Sequence, residues 1–244
     1  MSTAQLDHLP HGNKKRICAI HQPNFFPWLG YFDKIRRAET FVFLDDVAYP
    51  KSGSGMGSWV NRVKIAVHGK AHWIGCPLQR YSGSKAIRDV KIAPGPWRDK
   101  LMRTLEMSYR RAPGYADAMA IIEPLVGFCS DSLAEFNINA ITALCRRLGI
   151  ATRFVRQSEL GVSGAGTQLL VDIAQAAHAN AYLCGNGADG YQDDVLFPAH
   201  GIELVYQNFI PQSYANLPHF IAGLSVIDFL MMAPEARFAP SSAE

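Results

Sequence analysis

Residues 17–46 read ICAIHQPNFFPWLGYFDKIRRAETFVFLDD, and this stretch decides the fold. Ile17-Cys18-Ala19-Ile20 is a short apolar run between a basic tail and a Pro-rich loop, the pattern of a buried strand. His21 to Phe26 form the turn after it. Pro27 suits a helix start, and Trp28, Leu29, Phe32 and Ile35 then fall at helical spacing up to Arg37. Thr40 to Leu44 predict a second buried strand, ending at Asp45-Asp46. Strand, helix, strand in about 30 residues is the length of a βαβ unit, whose parallel strands require a crossover.

Outward from this unit, the Gly/Ser stretch from Lys51 to Ser58 is a loop. Trp59–Val67 and Ala71–Cys76 predict a β-hairpin turning around His68-Gly69-Lys70. Helices are expected over Trp97–Arg110, Tyr115–Phe128 and Ser132–Leu148, the last stopped by Gly149. Strands are expected at Thr152–Val155, Ala181–Cys184 and Ile202–Phe209, and further helices at Thr167–Ala179 and Leu224–Met232. Strands alternating with helices predict an α/β fold: a mainly parallel, Rossmann-like sheet with helices on both faces, plus an inserted hairpin and a helical segment. Residues 1–16 and 239–244 read as disordered tails, leaving 17–238 as one domain.

The 244 residues are 48% hydrophobic and 18% charged, enough apolar material for a real core, which excludes wholesale disorder. Nothing resembles a membrane span or a signal peptide, so the expected location is the cytoplasm. Five cysteines without a CxxC pair fit free thiols better than a disulfide scaffold or zinc ribbon. The net charge of +3 does not argue for nucleic acid, and no RRM, helix-turn-helix or zinc motif occurs. The charge is uneven, however. Residues 1–80 carry eleven Lys and Arg against five acids, and the remainder thirteen against sixteen. Half of that N-terminal surplus comes from Lys14, Lys15 and Arg16, which also read as a solvated tail. The rest suggests an anionic small-molecule ligand held mainly by the first half.

Ligands of open parallel sheets bind beyond the carboxyl ends of the strands. Three polar clusters fall there: His21-Gln22-Pro23-Asn24, Asp45-Asp46, and the run from Gly185 to Tyr191. An imidazole directly after a buried strand, beside a helix N-terminus, can face an anion; it can equally cap the helix or bond Asp45. Adjacent aspartates in extended chain point to opposite faces. One could hold a metal or a substrate amine or hydroxyl while the other pairs with Lys51 or Arg62; a plain turn is the alternative. Arg62 and Lys64 share a strand face, with Asn61 on the other, and two cations on one face can clamp a phosphate or carboxylate. An edge strand protected by charge would look the same. The Gly-rich turn matches neither GxGxxG nor a P-loop. Cys184 at its start is a nucleophile only if its thiolate is stabilised. No metal set and no cofactor is assigned.

The residues from Ala19 to Ile35, with the string HQPNFFPWLGYFDK at their heart, resemble the opening signature of the WbqC-like proteins. The similarity continues through Phe41 to Val47, Tyr49, Lys51, Asn61 to Ile65, Trp73 and Pro77. It resumes at Ser158-Glu159-Leu160, Tyr182-Leu183 with Gly185, Tyr191, Gly201-Ile202, Gln207 and Leu224 to Asp228, so it spans about residues 17–232. The resemblance implies a bacterial protein of O-antigen or other surface-sugar synthesis, or of specialised metabolism, in a family proposed to include glycine transferases acting on sugars. Two departures stand out: the extra Gly53–Ser58 piece, and Cys184 where a Ser is expected.

Together these readings imply a transferase joining an amino-acid or acyl unit to a sugar or small-molecule amine or hydroxyl. His21 would act as base or anion stabiliser, and Asp45 or Asp46 would orient the acceptor. Gln22, Asn24, Tyr31, Lys34, Tyr49, Lys51, Asn61, Arg62, Lys64, Trp73, Gly185 and Tyr191 would bind substrate. The alternatives are a Mg-ATP-dependent nucleotidyl-transferring or amino-acid-activating enzyme, and a non-catalytic ligand-binding protein. The leading reading requires His21, the two aspartates and the Arg62/Lys64 pair to surround a single hollow.

Overall fold

A computed structural model describes residues 14–50, 58–185, 192–214, 220–236 and 238. The chain begins with β1 (Ile17–His21), α1 (Leu29–Arg36) and β2 (Thr40–Phe43), and the two strands pair in parallel, Cys18 opposite Thr40 and His21 opposite Phe43. The antiparallel pair β3 (Arg62–Val67) and β4 (Lys70–Gly75) follows, then α2 (Trp97–Tyr109), α3 (Tyr115–Val126) and α4 (Leu133–Arg147). The chain re-enters the main sheet with β5 (Arg153–Arg156), then α5 (Gly166–Ala176), β6 (Ala181–Cys184), α6 (Leu196–Ala199), β7 (Glu203–Tyr206) and α7 (Val226–Met232). The main sheet has five strands in the order β5-β2-β1-β6-β7, all parallel. The predicted α/β fold with an inserted hairpin is therefore the fold observed.

Both faces of this sheet are covered, which explains why its central strands are apolar without alternation. Successive side chains point to opposite faces. Ala19, Phe41, Phe43 and Leu183 join α1 and α4 in one core, through Phe32, Ile35, Phe136 and Leu144. Cys18, Ile20, Val42, Tyr182 and Cys184 join α5 and Phe197 of α6 in the other.

Several ends differ from expectation for local reasons. Residues 59–61 form a turn rather than strand, because the Asn61 and Arg62 N–H groups both donate to the Ser58 carbonyl. The hairpin turns on His68 and Gly69, with φ of 49° and 73°; positive φ at both central residues is what a tight two-residue turn requires. Gly149 (φ 71°) does end α4: its N–H bonds the Arg146 carbonyl and that of Ile150 the Cys145 carbonyl. β7 stops at Tyr206, and Asn208 turns left-handed at φ 48°. α6, only four residues with Pro198 inside, is too short to show a period and was not foreseen. Among the described residues, no helix is long and apolar enough to cross a membrane.

Candidate functional site at the sheet switch point

From β1 the chain moves to β2 and β5 on one side, then returns to β6 and β7 on the other. The topological switch point therefore lies between the carboxyl ends of β1 and β6, where open α/β sheets bind ligands. A cavity of about 220 Å³ sits there, lined by His21 from the end of β1 and Gly185 after β6. Trp28, Gly30, Tyr31 and Lys34 come from α1 and its N-cap, and Gln207 and Phe209 from the segment after β7.

The helix is built to present this face. Trp28, Tyr31 and Lys34 recur every three residues and so lie along one side. Gly30 leaves room for the Trp28 ring, which a Cβ there would meet at 2.4 Å. Asp33, fully buried on the other side, accepts from Arg36 (2.8 Å) and from the Gln207 amide (3.1 Å), which also donates to the Gly30 carbonyl (2.6 Å). This network ties the helix to the end of β7. The His21–Trp28 loop is clamped from behind: Asn137 donates to the Pro23 and Val60 carbonyls, and Ser225 to that of Phe26, which is held at φ 39°. A non-glycine residue in that region stores strain, which the surrounding bonds must hold.

Lys34 is 4% exposed, and its ammonium donates to the Ile20 carbonyl at 2.9 Å. No carboxylate lies within ion-pair distance among the described residues. Burial pushes its pKa down to about 8. His21 packs edge-on to Tyr31, ring centroids 4.9 Å apart, and its Nδ1 lies 3.1 Å from the Gln22 carbonyl. A carbonyl only accepts, so the proton sits on Nδ1 and the neutral ring presents Nε2 as an acceptor. Burial, reinforced by the Lys34 charge, lowers the His21 pKa to about 3, so the imidazole is neutral at physiological pH. The Tyr31 hydroxyl donates to the same Gln22 carbonyl at 2.9 Å.

Of the expected site residues, this cavity gathers His21, Tyr31, Lys34 and Gly185. Asp45, Asp46, Arg62 and Lys64, expected in the same hollow, do not line it. Asp45 is buried and accepts from the Ser158 N–H (3.0 Å) and hydroxyl (2.8 Å), and Asp46 pairs with Arg88 at 3.1 Å; neither forms an ion pair with Arg62. Tyr49 donates to Asn61 at 2.7 Å, and Asn61 donates to the Cys76 carbonyl, bonds that brace the hairpin. Arg62 stacks on Trp73 at 4.4 Å, with the Lys64 ammonium 5.1 Å from the same ring and 5.9 Å from Trp59. The Arg62 Nε and the Asn24 Oδ1 are buried without partners among the described residues. Cys184 is buried and its pKa is raised, so the thiolate is not stabilised. Lys51, Tyr191 and residues 53–57 and 186–190 lie outside the described residues. Among the described residues no group of three His, Cys, Asp or Glu side chains could hold a metal ion. Gln207, Trp28 and Gly30 were legible only as parts of the family resemblance, and Phe209 left no signal at all.

The different settings of the two aspartates predict different losses. Asp45→Ala orphans the Ser158 N–H and is expected to cost about 2–3 kcal/mol. Asp46→Ala breaks a partly exposed pair and is expected to cost under about 1 kcal/mol. Urea unfolding of both variants checks this; equal losses would contradict the assigned contacts.

The model of the WbqC-like protein family matches residues 22–239. The chain belongs to the WbqC-like family. The match covers the hairpin and every lining residue of the switch-point cavity except His21, which stands one residue before it. A relative, "Uncharacterized protein Rv1507c" of Mycobacterium tuberculosis (strain ATCC 25618 / H37Rv), is 29% identical over 218 residues, covering 87% of this chain and 91% of its own length. No solved structure matches.

Proposed function

We propose that this WbqC-like protein transfers an amino-acid or acyl unit to a small-molecule amine or hydroxyl, with the reaction centred at the β1/β6 switch point. The observation that carries the reading is the meeting, in one cavity, of a neutral imidazole and a buried ammonium with no carboxylate partner among the described residues. An unpaired buried charge is costly, and an anionic group on the ligand would relieve it. His21 Nε2 would take the acceptor's proton as its oxygen or nitrogen attacks the acyl carbonyl, then return it to the leaving group. Lys34 would stabilise the negative charge that develops on the carbonyl oxygen. An anion bound beside the ring also favours imidazolium, so substrate would raise the His21 pKa from its low value in the free protein.

The volume favours this reading over a nucleotide. A cavity of about 220 Å³ is smaller than the ~300–1,000 Å³ usual for drug-sized ligands, and suits an amino-acid-sized group. A sugar acceptor and a place in surface-polysaccharide or specialised-metabolite synthesis come from the family resemblance alone. The test is a thermal-shift screen with amino acids, acyl phosphates, sugar nucleotides and Mg-ATP, followed by product analysis of whatever binds. A small anionic donor should raise the melting temperature of the wild type and not of Lys34→Met; saturation at about 100 Kd stabilises by about 2.7 kcal/mol. A shift with Mg-ATP alone would favour nucleotidyl transfer, and binding without conversion would favour a ligand-binding protein.

A further inference from the structure

A second cavity, of about 590 Å³, runs between β4 and α2 and shares no lining residue with the switch-point cavity. Its apolar walls come from Trp73 and Ile74 on the strand side and from Trp97 and Leu101 on the helix side. We propose that this cleft binds a small carboxylate that carries an amide and an apolar body. The proposal does not rest on the transfer chemistry above.

Three features of the cleft ask for the three parts of such a ligand. The first is an open strand edge. The Cys76 N–H donates to the Asn61 carbonyl, and strand pairing alternates, so Ile74 and His72 turn their backbone groups toward β3. Trp73 and Gly75 therefore turn theirs outward, along the cleft, where an amide can pair with them as an added strand would. The second is Trp97. It is 7% exposed, it lines the cleft, and its indole N–H has no acceptor among the described residues. Indole is a donor only, and a buried donor left unmade is costly, so a ligand carbonyl oxygen fits it. The third is charge. Lys100 and Arg103, one helical turn apart, also line the cleft, and neither pairs with an acid among the described residues. They would receive the carboxylate, leaving the apolar body against Ile74 and Leu101.

The test is a calorimetric titration of the full chain with N-(2-naphthoyl)glycine and with its uncharged primary amide. The carboxylate should bind saturably, and the amide at least about tenfold more weakly. Lys100→Ala/Arg103→Ala, both exposed positions, should erase that preference for the carboxylate. Trp97→Phe keeps an aromatic ring facing Phe136 while removing the N–H, and should weaken both ligands severalfold. Lys34→Met should leave the affinity unchanged, which separates this site from the switch point. No saturable binding at about 1 mM, equal affinity for acid and amide, or loss of binding in Lys34→Met would each overturn the proposal.

Discussion

Replacing Lys34 by methionine is expected to stabilise the free protein by about 2 kcal/mol while abolishing its response to the anionic ligand of the switch-point cavity. Among the described residues the buried ammonium has one hydrogen-bond partner, the Ile20 carbonyl, with the Tyr182 ring 5.9 Å away, and its pKa falls to about 8 from an ordinary 10.5. Methionine fills a similar volume and carries no charge, at the loss of one hydrogen bond to Ile20. The sign follows from proton counting. Between pH 8 and 10.5 the unfolded chain holds the Lys34 proton more tightly than the folded one, so this group's contribution to stability rises with pH in that window. The advantage of Lys34→Met should therefore be full below pH 8 and should vanish toward pH 10.5. It must be read as wild type minus variant. The buried thiols of Cys18, Cys76 and Cys145, raised to about 12, make both proteins less stable over the same range. Urea titrations at pH 7 and pH 10 give the difference, and a destabilised variant at pH 7 would mean that the ammonium is better satisfied than its contacts indicate.

His21→Gln is expected to lower turnover of the transfer reaction by about 10²- to 10⁴-fold with little change in KM, because a general base acts on the transition state more than on bound substrate. Glutamine retains a polar group beside Gln22 but cannot take up a proton. The same variant has a stability signature that needs no substrate. The folded imidazole protonates only near pH 3, the unfolded one near 6.5. Between those values the unfolded state binds more protons, so the His21 contribution is fully present above pH 6.5 and lost as the solution is acidified. Wild type should lose stability relative to His21→Gln between pH 7 and pH 4. Full turnover in the variant would refute the assigned role, whereas parallel acid curves would refute only the burial of the ring.

The βαβ start was legible because its signals are local: an apolar run, a proline at a helix start, a 3.6-residue period and a second apolar run. The hairpin was legible for the same reason, although its first strand begins three residues late, where backbone bonds to Ser58 make a turn. The site was legible in part. Of the cavity lining, His21 and Gly185 followed from the expectation that ligands gather at strand ends, and Tyr31 and Lys34 from the family string. The switch-point cavity gathers only part of the polar strand ends expected to share one hollow: Asp45 and Asp46 do not line it. Asp45 follows β2 by two residues, and Phe43 at the end of β2 stands opposite His21, yet the Asp45 carboxylate turns to Ser158, more than a hundred residues away in the chain.

The sequence alone thus determined most of the strands and helices, that the sheet is mainly parallel, and that the chain resembles the WbqC-like family, because period, turn residues and motif strings are properties of neighbouring residues. Tertiary structure decided the strand order, hence the switch point, and whether each charge is partnered. Asp45, Asp46 and Lys34 are alike in the sequence as charged residues of one predicted βαβ unit. Only the folded chain gives the aspartates partners of their own and leaves Lys34 with a carbonyl, because the energy of a charge is set by what surrounds it in space.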